Sequence, residues 1–162
     1  MESVIEAINK RVSVRSYTDQ PIELEEKQKI MDLFRSANEG PFGHKVRFAL
    51  IDFSEMDKAE IRSLGTYGFI SGAQLLIVSA IKDGLGEIGG VRALVDLGYC
   101  FEKVILGATN LGLGTCWLGG TFKRANFAEK IDASEDELVP AVSPIGYARD
   151  RRTIREMAIR RL

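Results

Sequence analysis

Cysteine, histidine and tryptophan are nearly missing from this chain. Its two cysteines, Cys100 and Cys116, form no C-x-x-C pair, and a metal centre would need a ligand cluster that the sequence does not supply. Both read as buried core thiols. His44 is the only histidine, so a histidine-based triad could use no other residue, and no nearby Ser or Cys motif resembles a nucleophile elbow. It reads as a surface loop residue. No apolar run is long enough to span a bilayer and no secretory segment opens the chain, so no membrane is implied and a cytoplasmic location is expected. Charge of one sign is lacking too: 22 basic against 23 acidic side chains leave a net charge of −1. That excludes a whole-surface attraction to nucleic acid or anionic lipid and leaves small molecules or protein as partners. With no internal repeat or low-complexity linker, the 162 residues are expected to form a single domain, 1–162.

What is present is a mixture of helix and strand signals. Glu2 to Lys10 carries Val4, Ile5 and Ile8 on one helical face, and Leu24 to Asn38 carries Ile30, Leu33, Phe34 and Ala37. Gly40-Pro41 ends the second helix. Val46 to Phe53 reads as a strand, then a short helix from about Ser54, its expected cap, to Leu64. Gln74 to Ile81 is a second apolar strand. Ile88 to Leu113 is the longest helical pattern, its Val91, Leu94, Val95, Phe101, Val104, Ile105 and Ala108 spread widely enough to predict a central helix buried on most sides. Thr115 to Leu118 reads as a short strand, Arg124 to Ile131 as a short helix, and Ser134 with Glu137 as a capping box. A last strand lies within Val139 to Tyr147, interrupted by Pro140 and Pro144. Six arginines crowd Arg149 to Leu162, where Ile154, Met157, Ala158 and Leu162 share a helical stripe; a docking helix with a solvated basic face is expected.

Two motifs compete for chemistry. Gly84-Leu85-Gly86-Glu87-Ile88-Gly89 matches the G-x-G-x-x-G dinucleotide fingerprint between a strand and a helix. Its context fails. Lys82 and Asp83 intervene before the first glycine, Glu87 sets a negative charge near a pyrophosphate, and the next strand lacks the acidic residue that would hold a ribose. A glycine-rich loop is the better reading. The second motif is Arg11-Val12-Ser13-Val14-Arg15. In extended backbone, Val12 and Val14 face a core while Arg11, Ser13 and Arg15 project together. The two arginines then start about 13 Å apart, which exceeds one phosphate. A ligand with a phosphate at one end and an electron-rich ring at the other would suit them; a solvated face making surface ion pairs is the alternative.

Arg11-x-Ser13-x-Arg15-x-Tyr17, the Pro41-Phe42-Gly43 turn, the stretch Leu111 to Gly120 and Pro144-Ile145-Gly146-Tyr147 together resemble the nitroreductase family of flavin enzymes, nearest to the branch called TM nitroreductases. The resemblance runs in order along nearly the whole chain. It implies an α+β fold, a mixed sheet around a long central helix, that binds FMN, commonly across a homodimer interface. Residue by residue it implies Arg11 at the FMN phosphate, Ser13 near phosphate or ribityl, Arg15 near the pyrimidine edge, and Trp117, Leu118, Gly119 and Gly120 as the segment beside the ring, with a glycine amide approaching N5. The implied chemistry is hydride transfer from NADH or NADPH through N5 to a small-molecule acceptor such as a nitroaromatic or quinone, with no side-chain acid, base or nucleophile. Relatives in that branch typically continue beyond the region matching Leu162 into a second half with a Pro-Ser-Ala-x-Asn-x-Gln-Pro-Trp type segment, and such a half is lacking here. The alternative implied is a truncated flavin-binding or interaction module without turnover.

Overall fold

The computed structural model describes residues 3–65, 70–82, 86–120 and 122–149, with backbone alone at 86–89. The helices are α1 (Val4–Lys10), α2 (Leu24–Ser36), α3 (Lys58–Ser63), α4 (Gly86–Asn110) and α5 (Arg124–Lys130); the strands are β1 (Val46–Asp52), β2 (Leu75–Lys82), β3 (Gly114–Thr115), β4 (Glu137–Leu138) and β5 (Val142–Gly146). The sheet runs β1-β2-β5-β3, with β4 on the far end of β2, and these strands all pair antiparallel. Isolated parallel bridges from Ser13 to Thr115 and from Ser16 to Ser71 make the sheet mixed. The fold is therefore the α+β arrangement around a long helix that the sequence implied.

β2 is the hub. Every residue from Leu75 to Ile81 is buried, so the strand needs apolar side chains on both faces. Leu75 and Ile77 meet Phe34 of α2 and Phe101, Val104 and Ile105 of α4. Leu76, Val78 and Ala80 meet Phe127 of α5 and Leu64 beside α3 on the opposite face. Pro144 sits inside β5 at no cost to the outer ladder, because the β3–β5 pairing stops at Thr115 and Ile145. The next amide, Cys116 N–H, donates to Ser143 Oγ at 3.0 Å instead, and Leu118 rejoins β5 through a mutual pair of bonds with Val142 at 2.9 and 3.0 Å. This detour turns Trp117 outward.

Local chemistry corrects several sequence expectations. The short third helix is capped by Asp57, which accepts from the Ala59 and Glu60 amides while Glu60 reaches back; Ser54 lies in a preceding 3-10 turn (Phe53–Glu55) capped by Asp52. Glu137 does accept from Ser134 N–H at 3.0 Å, yet the box closes a turn leading into β4 rather than a helix, since Glu137 is also held by Arg47 across the sheet. The central helix opens at Gly86, so the residues from Gly86 to Gly89 of the glycine motif are helical and not a loop; Gly84 and Leu85 lie outside the described residues. So does the carboxyl-terminal stripe beyond Arg149.

The amphipathic expectations fail in one place. In α1, Val4, Ile5 and Ile8 are 64, 71 and 56% exposed, and only Ala7 is buried. In α4, Val91, Leu94, Val95 and Tyr99 are also exposed, so the helix is not buried on most sides. The two helices pack on each other and present one apolar surface to solvent. Val12, expected in the core, is also exposed, at 46%. Residues 11–17 dock point by point, through bridges to Thr115, Ser71 and Ala148.

Candidate functional site

Arg11 is the residue that closes α1, its N–H donating to Ala7 O at 2.9 Å. The chain then extends, and Val14 N–H donates to Thr115 O at 2.8 Å, locking Ser13 beside the start of the Trp117 detour. Tyr17, almost wholly buried, fastens the same stretch by donating its hydroxyl to Val14 O at 2.6 Å. Gly114 has to be small here: a Cβ would come within 2.8 Å of Val14 Cγ2. The arginine-serine segment is thus registered against β3 by backbone and packing.

The point of convergence is Glu102 on α4. Its Oε1 lies 3.4 Å from Arg11 Nε, and its Oε2 accepts from Trp117 Nε1 at 2.7 Å. The Trp117 ring rests on Phe101 with centroids 4.4 Å apart and planes inclined at 59°. Arg11 and Glu102 are 31 and 39% exposed, so their pair is worth at most about 1 kcal/mol. A phosphate offering charged hydrogen bonds of roughly 1.5–3 kcal/mol would outcompete it. Leu118 points the other way, into the core beneath the sheet. Gly119 and Gly120 are exposed with nothing within 4 Å of where a Cβ would sit, and the Gly119 carbonyl accepts from Arg124 Nη2 at 2.8 Å. The structure therefore brings together Arg11, Ser13 and Trp117. It ties the glycine turn to α5, and Arg15 meets Ser71, whose N–H donates to Arg15 O at 2.9 Å.

A second carboxylate on α4 organises a different corner. Asp96 is completely buried and accepts from Phe42 N–H at 2.8 Å, His44 N–H at 2.9 Å and His44 Nδ1 at 2.6 Å. Burial alone would raise its pKa, but these donors outweigh burial and hold the carboxyl below the usual carboxylate range. Gly40 makes room for it, since a Cβ there would fall 2.3 Å from Asp96. His44 is the loop residue expected, half-exposed, and its ring serves this fastening. Burial, then the Asp96 charge, push the Cys100 thiol up, so neither free cysteine, both of them buried, has the setting of a reactive thiolate.

A depression of about 370 Å³ near this corner carries His44, Lys45, Arg47 and Lys82 on its wall. It is no anion site. Lys45, Arg47 and Lys82 already pair with Glu39, Glu137 and Asp136, and the His44 ring is hydrogen-bonded to Asp96. Arg47 holds Glu137 through two parallel bonds of 2.9 and 2.7 Å, which brings that carboxyl down to about 2 against the opposing effect of burial.

Sequence reasoning missed Glu102 and Asp96. The signal was available: they are acidic residues set within the most apolar helical pattern of the chain, where a charge needs a partner.

The fold is an α+β arrangement of the nitroreductase type. A nitroreductase family protein from Clostridium novyi NT superposes with a TM-score of 0.74 at 22% identity, over 92% of this chain and 87% of its own. An FMN-dependent nitroreductase from Clostridium difficile R20291 gives 0.67 at 24%, over 92 and 90%. In sequence, a protein of Methanothermobacter thermautotrophicus described as "Putative NADH dehydrogenase/NAD(P)H nitroreductase" is 25% identical over 158 residues, 95% of this chain and 82% of its own. The family profile described as "Putative TM nitroreductase" matches residues 3–161, and the chain belongs to that family.

Proposed function

We propose that the protein is an FMN-dependent oxidoreductase that takes hydride from NADH or NADPH and delivers it to a small acceptor such as a nitroaromatic or quinone. The observation that carries this reading is the meeting of Arg11, Ser13 and Trp117 around Glu102 of α4, next to an open glycine turn. The donor set fits FMN: a half-exposed guanidinium and a hydroxyl suit a phosphate and ribityl chain, a second guanidinium suits a carbonyl-rich pyrimidine, and a half-exposed indole suits the flank of a flat ring. Relatives described as NAD(P)H nitroreductase and FMN-dependent nitroreductase support the same reading. FMN would supply the redox chemistry, accepting and passing on hydride at N5.

The chain's own part is binding and orientation. Arg11 would take the phosphate and Ser13 a neighbouring oxygen, while Arg15 would set positive charge beside the pyrimidine edge. Gly119 or Gly120 would bring a backbone N–H close to the ring, which the space around both positions allows. The exposed apolar surface of α1 and α4 supports a homodimer. Val91, Val95 and Tyr99 form a stripe on α4 leading to Glu102, and fully burying such a side chain is worth roughly 1.5–3 kcal/mol. Gly98, within that stripe, has nothing within 4 Å of its Cβ position, so a second helix could approach closely. Among the described residues no helix is long and apolar enough to cross a membrane, and two free buried thiols suit a cytoplasmic setting.

The absorption spectrum of the purified protein tests this. Oxidised-flavin bands that bleach on adding NADH or NADPH without air are the expected result. Bands that persist under both nucleotides would leave a flavin-binding module without turnover, and failure to bind added FMN would remove the proposal. Sedimentation should show a dimer that Val95→Glu converts to monomer; a monomeric wild type would remove the dimer.

A further inference from the structure

We propose that Glu102 is a positioning residue, a built-in counter-ion that holds Arg11 ready, yields it to an incoming phosphate group and transmits the exchange to the Trp117 indole. The identity of the physiological anion rests on the FMN reading above, but the three-residue linkage does not.

The two arms of the carboxylate are unequal. The bond to Trp117 is short, 2.7 Å, while the approach to Arg11, at Nε, is 3.4 Å. The two Nη amines of Arg11 form the fork that best matches a phosphate. Glu102 is therefore anchored to the tryptophan and lightly tied to the arginine. A dianionic phosphate on Arg11 would stand close to this carboxylate, and like charges at that range disfavour each other. Arg11 leaves Glu102, and the charge facing the indole is no longer balanced. Phe101, wholly buried against the Trp117 ring, keeps the indole in place to register the change. A neutral glutamine at 102 would still offer the indole an oxygen and would no longer oppose the phosphate.

Trp117 is the only tryptophan in the chain, so its emission reads the linkage directly. The test uses the full chain freed of flavin, with inorganic phosphate, FMN and riboflavin as probes and sodium chloride at matched ionic strength as control. Phosphate should shift Trp117 emission in the wild type and not in Glu102→Gln. Glu102→Ala should show an altered emission before any anion is added. Glu102→Gln should bind FMN about two- to fivefold more tightly, the range expected for removing a half-exposed opposing charge, and should bind riboflavin, which lacks the phosphate, as the wild type does. Wild-type emission indifferent to phosphate, or FMN binding to Glu102→Gln no tighter than to wild type, would overturn the proposal. If no form binds FMN, the oxidoreductase reading falls, and the phosphate response alone decides the role of Glu102.

Discussion

Asp96 and Glu102 lie less than two turns apart on the same helix, and each gathers a loop from elsewhere in the chain. Their surroundings differ in saturation. Asp96 is sealed from water with three donors on its two oxygens, whereas Glu102 keeps 39% exposure and one good bond. A buried carboxylate with every partner in place is a fastener, because exchanging any one donor leaves a charge unsatisfied in a dry site. A half-exposed one with a weak second contact can exchange that contact at little cost. The α4 helix thus carries a fixed joint and an adjustable one.

The largest expected effect lies at the fixed joint. Asp96→Ala leaves two backbone amides and the His44 ring without their acceptor and should destabilise the fold by about 3 kcal/mol, read by urea unfolding. A loss below about 1 kcal/mol would mean that water or another group replaces the carboxylate and that the two corners are alike. At the adjustable joint the order reverses: Arg11→Ala should weaken FMN binding by about 1–3 kcal/mol and barely change apoprotein stability, and Arg15→Ala should weaken it similarly. Unchanged FMN affinity in both variants would remove the arginines from the site.

Acid separates the joints more gently. Because the folded pKa of Asp96 is depressed, its stabilisation is present above the unfolded carboxyl value of about 3.9 and is lost as pH falls through the lower folded value. The stability gap between wild type and Asp96→Asn should therefore narrow as pH falls below about 4. A gap that stays open at pH 3 would show that the fastening does not depend on the charge. The smallest change is expected at the glycine turn, where open space lets a side chain fit without disturbing the fold. Gly119→Val should leave stability within about 0.5 kcal/mol while slowing bleaching by NADH in stopped-flow measurements. A normal rate with FMN bound would assign the close approach to another turn.

The fold was legible where periodicity and burial agree. β2 reads as a strand because Leu75 to Ile81 is an apolar run interrupted by Ser79 alone, and α2 reads as a helix because Ile30 and Phe34 return to the same face. The α1–α4 surface was misread for a physical reason: Val4, Ile5, Val91 and Val95 have core-like spacing, but hydrophobic spacing states only that a face wants covering, not what covers it. At the site, alternation placed Arg11, Ser13 and Arg15 in one short extended stretch, and the family resemblance supplied their roles. It could not find Glu102. The pairing of Arg11 with a residue 91 positions away depends on the turn of α4 and on the detour that Pro144 and Ser143 impose after Thr115. Ser54 lost to Asp57 as a cap because both are good caps, and only Asp57 stands three residues before a glutamate that can reach back.

The point-by-point docking of residues 11–17 has a consequence for how the molecule is made. Ser13 leans on Thr115, Ser16 on Ser71, and Tyr17 on Ala148, so the earliest-synthesised part of the site waits for partners drawn from nearly the whole length of the chain. β2 likewise pairs early with β1 but meets β5 only after some 60 further residues. Such long-range closures are slow to form, and a nascent chain can complete neither until the region around Ala148 has left the ribosome. The arginine-serine segment that opens the sequence is, in folding order, among the last to be set in place.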